Sequence, residues 1–84
     1  MDYILFSRSN CPLCEAMEDE LRPLIDEFNL VVERRYIDNE PALEALYGDK
    51  VPVLTRDGEI LCHFFLDAEA LKQSIHVSQK NGSQ

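Results

Sequence analysis

The sequence predicts an α/β domain, a four-stranded mixed sheet with three helices in the order βαβαββα. Two observations carry this. A short apolar run is followed by residues at helical spacing and then by a second strand-like run, the arrangement of a parallel βαβ unit with a right-handed crossover. Further on, "RDG" at Arg56 to Gly58 separates two more strand-like runs and marks a hairpin.

Tyr3 to Phe6 is a continuous apolar run, the pattern of a strand buried on both faces. Leu13, Met17, Leu21, Leu24, Ile25 and Phe28 then recur at spacings of three and four, with Glu15, Glu18, Asp19, Arg22 and Asp26 between them, which describes an amphipathic helix. Pro23 inside it removes a backbone donor and is expected to kink the helix without ending it. Leu30 to Ile37, rich in Val, Tyr and Ile, reads as the second strand. Asn39 is placed to cap a short second helix through Tyr47, with Pro41 in its first turn and Gly48 as its stop. Val51 to Thr55 and Glu59 to Phe64 form the hairpin, and Asp67 caps a last helix with Ala68, Leu71 and Ile75 on one face. "SQKNGSQ", from Ser78, has nothing to bury, so residues 1–77 are read as one domain and 78–84 as a flexible C-terminal tail.

Composition bounds the function. With 84 residues, 45% hydrophobic and 29% charged, the chain suffices for one soluble domain with its own core. The apolar run after Asp2 lacks the basic start and the length of a signal peptide, and no segment approaches the roughly 18 apolar residues of a membrane span. A cytoplasmic location is therefore expected, where cysteines are reduced, catalytic or metal-bound more often than structurally bridged. A formal charge of -8 argues against nucleic acid or anionic lipid as a partner, since either needs a basic surface. A monomer is expected.

"SRSNCPLCEAMEDE", Ser7 to Glu20, holds the chemistry. Cys11 and Cys14 fall between the carboxyl end of the first strand and the amino end of the first helix. With Cys11 at the N-cap, Pro12 takes the first helical position that proline prefers, and Cys14 lies one turn on. Residues at this spacing have side-chain roots about 5 to 6 Å apart, within reach of a disulfide. Free backbone donors and the helix dipole favour a thiolate at Cys11, predicting a pKa depressed from about 8.5 toward about 6, with Cys14 the protonated, more buried partner. Glu15 and Glu18 oppose that shift, and Arg8 is the nearest cation in sequence able to offset them.

The pair admits three uses. As a staple, a four-residue loop stabilises by only about 2 kcal/mol, against about 3 for a fifteen-residue loop. A structural zinc site needs four ligands, and the remaining candidates are Cys62, His63 and His76; adjacent strand residues Cys62 and His63 point to opposite faces. Cys62 reads more simply as a small buried strand residue, and His63 as a surface one. Reversible redox chemistry suits the spacing, because the second thiol can resolve a mixed disulfide formed by the first. Val51-Pro52, at the start of a strand, is a second informative spot, trans as an edge device or cis in a tight site.

"CPLC" after an apolar strand, "VPV" before a hairpin and the βαβαββα order together resemble the thioredoxin fold, and within it the short bacterial glutaredoxin-like proteins, over about residues 2 to 76. The resemblance implies a thiol-disulfide oxidoreductase with Cys11 as nucleophile and Cys14 as resolving thiol. It implies that Pro52 is cis and packs beside the dithiol, and that the Val51 backbone pairs with a bound thiol peptide, with Pro12 and Leu13 lining the same substrate site. Its partner would be a disulfide-containing protein or a small thiol substrate; no cofactor or metal is expected, beyond glutathione as a reductant. Dithiol glutaredoxins commonly carry tyrosine where this chain has Leu13, threonine where it has Lys50, and a Gly-Gly pair where it has "CHFFL", Cys62 to Leu66. Lys50 is the residue placed to meet a glutathione carboxylate, while the two phenylalanines disfavour tight glutathione binding. The alternatives are a non-catalytic binding module on the same fold and a zinc-binding protein.

Overall fold

The structure, a computed structural model, describes residues 3–82, with side chains as far as Ile75. Its elements are β1 (Tyr3–Ser7), α1 (Pro12–Phe28), β2 (Val32–Tyr36), α2 (Pro41–Tyr47), β3 (Val53–Arg56), β4 (Glu59–His63) and α3 (Ala68–Gly82). This is the expected βαβαββα order, and the sheet runs β2-β1-β3-β4. β1 and β2 are parallel, Tyr3 opposite Val32 and Ser7 opposite Tyr36. The β1–β3 pair is antiparallel, with Phe6 opposite Val53, as is β3–β4, with Val53 opposite His63.

The central position of β1 explains its unbroken apolar run, because both its faces are covered. Tyr3 and Leu5 join Met17 and Leu21 of α1, Leu54, and Leu71 and Ile75 of α3 in one buried cluster. Phe6, on the opposite face by strand alternation, packs with Ile37 and Val53, and Leu43 and Tyr47 of α2 lie against them. The Phe6 and Tyr47 rings stack at 4.4 Å between centroids. Thus α1 and α3 cover one face and α2 the other.

The hairpin turns through Asp57 (φ 51) and Gly58 (φ 88), both left-handed, as a two-residue turn matching strand twist requires. Asp67 caps α3 as expected, accepting from the Ala70 N–H at 3.1 Å. α1 runs unbroken through Pro23 and ends on Asn29 in the left-handed conformation (φ 55), whose N–H bonds the Ile25 carbonyl.

The α2 cap differs from expectation. Glu40, with no side-chain cap bond, occupies the N-cap, and Asn39 lies one residue earlier in the left-handed region at φ 64. Pro41 explains the shift: it drives the residue before it into extended backbone, which is the N-cap conformation. Gly48 does end α2, but right-handed (φ -53). Space, not a positive φ, calls for glycine there, since a Cβ would sit 2.5 Å from the Glu44 carbonyl oxygen. The tail expected from Ser78 coincides with backbone that α3 carries to Gly82; the side chains from His76 onward, and Ser83 and Gln84 entirely, lie outside the described residues.

Candidate active site

Strand register gathers one set of chain segments at one end of the sheet. β1 and β2 finish there, β3 begins there because Val53 pairs with Phe6, and β4 finishes there because His63 pairs with Val53. Leading off this end are the loop from Ser7 to Cys11, the turn into α2, the stretch from Gly48 to Pro52 and the residues after His63.

Cys11 caps α1 (φ -119, ψ 103), and its sulfur accepts from the Cys14 N–H at 3.1 Å. The Cys11 carbonyl accepts from Glu15 N–H at 3.1 Å, and Pro12 holds the first helical position. Cys14 is bonded to Cys11 as a disulfide, their Cα atoms 5.2 Å apart. The two sulfurs are unequal in access: Cys14 is 1% exposed and begins the buried stripe continued by Met17 and Leu21, whereas Cys11 is only partly covered. Pro12 and Leu13 are exposed on the same first turn. An attacking group can approach one sulfur from solvent and not the other.

Val51-Pro52 is a cis peptide bond. Pro52 is buried, and its carbonyl accepts from the Phe64 N–H at 3.0 Å, tying the start of β3 to the chain leaving β4. Phe64 adopts φ 66, a conformation that normally favours glycine, and both Phe64 and Phe65 are exposed. Lys50 is exposed and donates its backbone N–H to the Tyr47 carbonyl at 2.8 Å. The structure therefore brings Cys11, Pro12, Leu13, Cys14, Lys50, Val51 and Pro52 to one end of the sheet.

Arg8 is placed otherwise than its expected part as a counter-charge for Cys11. Its terminal nitrogens donate to both Glu44 oxygens at 2.9 and 2.7 Å, and one also reaches the Gly48 carbonyl at 3.3 Å. Hydrogen bonding to Glu44, with the charges of Glu44, Asp38 and Asp49, holds the guanidinium proton more firmly than usual. The cation is committed to α2. Conversely, Arg8 holds the Glu44 carboxyl below its ordinary pKa.

Sequence reasoning missed this surrounding frame. Ser9 donates its N–H to one Asp38 oxygen at 3.2 Å and its hydroxyl to the other. These bonds, hydroxyl first, lower the Asp38 pKa. Ser9 and Asp38 lie 29 positions apart, and no local pattern couples them. Only the parallel pairing of the first two strands, which sets Ser7 beside Tyr36, could have suggested that the following residues meet.

Cys62 is half-buried against the larger core cluster, and burial pushes its thiol pKa up. His63 is exposed, with Phe64 edge-on at 4.8 Å. Among the described residues, no three His, Cys, Asp or Glu side chains come together to hold a metal, and no helix is long and apolar enough to cross a membrane.

Residues 2–76 match the family described as Glutaredoxin-like domain (DUF836). The chain belongs to this family. Among solved structures, the glutaredoxin-like chain is similar to the solution structure of protein Ne2328 from Nitrosomonas europaea, at 35% identity and a TM-score of 0.77 over 87% of this chain and 88% of that one. It is also similar to protein XcR50 from X. campestris, at 28% identity and a TM-score of 0.68 over 89% and 96%. Thioredoxin 1 from Thermosipho africanus, at 16% identity, a TM-score of 0.64 and coverage of 94% and 99%, shares the fold. No curated protein matches the chain.

Proposed function

We propose that this glutaredoxin-like domain is a small dithiol thiol-disulfide oxidoreductase acting on protein or glutathione mixed disulfides in the cytoplasm. The observation that carries this reading is the unequal access of two bonded sulfurs at a helix N-cap: Cys11 partly open, Cys14 sealed. In the reduced protein, the Cys11 thiolate attacks one sulfur of a substrate disulfide. The substrate S–S bond breaks, its leaving sulfur departs as thiolate and takes up a proton, and a mixed disulfide forms. Cys14 then gives up its proton and attacks the Cys11 sulfur, releasing the second substrate thiol. The substrate has gained two electrons and two protons, and the protein is left as the Cys11–Cys14 disulfide. A thiol reductant such as glutathione, itself oxidised to its disulfide, restores the dithiol.

Helix position supports the roles. The Cys14 N–H pointing at the Cys11 sulfur, with the positive end of the α1 dipole, favours negative charge there. Pro12, Leu13 and the backbone of Val51 before Pro52 would line the groove for the chain that bears the substrate cysteine, and Lys50 would meet a glutathione carboxylate.

Cys14→Ser is expected to accumulate a mixed disulfide through Cys11, visible by mass spectrometry, while Cys11→Ser loses disulfide reduction. Equal activity of the two variants would overturn the assignment. No turnover by the unaltered protein on protein and glutathione disulfides, with an ordinary Cys11 pKa, would point to a binding module instead.

A further inference from the structure

Arg8, Ser9 and Asn10 join β1 to Cys11, and the side chains of Arg8 and Ser9 are tied to chain that follows β2. Ser9 uses both its N–H and its hydroxyl on Asp38. Arg8 grips Glu44. Asn10 follows in the left-handed conformation, φ 57, and delivers Cys11 to the N-cap.

Asp38 is itself firmly held. The preceding Ile37 is fully buried, its N–H bonds the Ser7 carbonyl at 2.8 Å, and its carbonyl accepts from the Glu40 N–H at 3.1 Å. One carboxylate on a fixed turn thus receives two donors from the residue two places before the reactive sulfur. We propose that Asp38 is a positioning residue for the dithiol, holding the Cys11 sulfur over the amino end of α1 through its paired hydrogen bonds to Ser9. The inference rests on the thiol-disulfide reading of Cys11.

Position and charge act in opposite directions here, which makes the role separable. As a negative charge, Asp38 opposes a thiolate, so loss of charge alone makes Cys11 more reactive. As a tether, it keeps the sulfur in reach of the Cys14 N–H, so loss of the tether makes Cys11 less reactive. Asp38→Asn removes the charge but keeps an oxygen that accepts from Ser9, whereas Asp38→Ala removes both.

The test is the rate of iodoacetamide alkylation of Cys11 in the reduced, folded protein at about pH 5, below the Cys11 pKa of about 6 expected at the helix N-cap, read by peptide mass spectrometry, with Cys62, followed at about pH 8, as control. Asp38→Ala is expected to slow Cys11 by about threefold to tenfold, the effect of a half- to one-unit pKa rise on the thiolate fraction, and to leave Cys62 unchanged. Asp38→Asn should react at least as fast as the unaltered protein. Cys11 alkylated in Asp38→Ala as fast as in the unaltered protein, or faster, would overturn the proposal, as would equal slowing in both variants. Should Asp38→Ala fail to fold, Ser9→Ala keeps the Asp38 charge and the Ser9 N–H; it is expected to slow Cys11 about twofold, and no slowing would overturn the tether. Alkylation needs no disulfide substrate, so an unaltered protein that reduces no disulfide would defeat the functional reading while this comparison still gave its answer.

Discussion

At the hairpin end of the sheet, the chain reverses by standard means. Asp57 and Gly58 make a tight turn, Asn29 ends α1, and the Ser74 hydroxyl meets the Tyr3 hydroxyl at 2.9 Å while the Ser74 carbonyl accepts from Arg56 at 2.7 Å. At the dithiol end the left-handed residues are Asn10, Asn39 and Phe64, which cap no helix terminus and complete no hairpin turn. There, partly exposed carboxylates hold the loop ahead of Cys11, and one backbone bond joins Phe64 to Pro52. The first end is secured by local turns and by Ser74 contacts that involve no carboxylate. The second depends on carboxylate partners remote in sequence, and so is more open to change by pH or substitution without loss of the fold.

The largest expected effect tests the hairpin end. Gly58→Ala introduces a Cβ with no atom within 4 Å, so only its backbone at φ 88 resists it. Urea unfolding should show a loss of about 1 to 2 kcal/mol. An unchanged midpoint would mean that the turn does not secure this end.

A smaller pair of effects, opposite in sign, compares two buried hydroxyls. Thr55 Oγ1 donates to the Ile4 carbonyl at 3.1 Å in the body of the sheet, whereas Ser7 Oγ, at the dithiol end, is buried and finds no hydrogen-bond partner among the described residues. Thr55→Val should lower stability by about 0.5 to 1 kcal/mol, and Ser7→Ala should raise it by a similar amount, since it removes a desolvated group that gains nothing. Equal losses in the same unfolding assay would erase the distinction.

The smallest effect is local. Asp38 and Glu44 have pKa values lowered in the folded protein, so what their bonds contribute is present above the unfolded carboxyl range, about 4, and is lost as pH falls through the lower folded values. Between pH 6 and pH 3, the amide-exchange protection factor of Ser9 should fall several-fold while those of β3 hold. Parallel decline of both would show that acid acts on the whole sheet.

Much of the fold was legible because its signals are local. The apolar run of β1, the Asp57-Gly58 turn and the Asp67 cap each declare themselves within a few residues. The same holds for Cys11, Pro12 and Cys14, whose N-cap, first and third helical positions follow from spacing alone. Asn39 misled because its capping preference is real but weaker than the constraint that Pro41 imposes on Glu40. Arg8 misled because proximity in sequence to Cys11 does not show where a long side chain goes; Glu44, 36 positions on, takes it. Ser9 with Asp38 and Pro52 with Phe64 were illegible for the same reason: each pair exists only once strand register is fixed.

The order in which those pairs arise along the chain has a consequence for synthesis. A nascent chain that has emerged only as far as Gly48 already contains both cysteines, the residues of the α1 cap, Asp38 and Glu44. It still lacks β3, the strand that fills the place beside β1, and β4, whose exit meets Pro52. On the oxidoreductase reading, thiol reactivity is thus encoded in the first half of the polypeptide, and the Val51–Pro52 side of the proposed groove in the second. Until the hairpin arrives, the dithiol would have Pro12 and Leu13 beside it and lack that second wall.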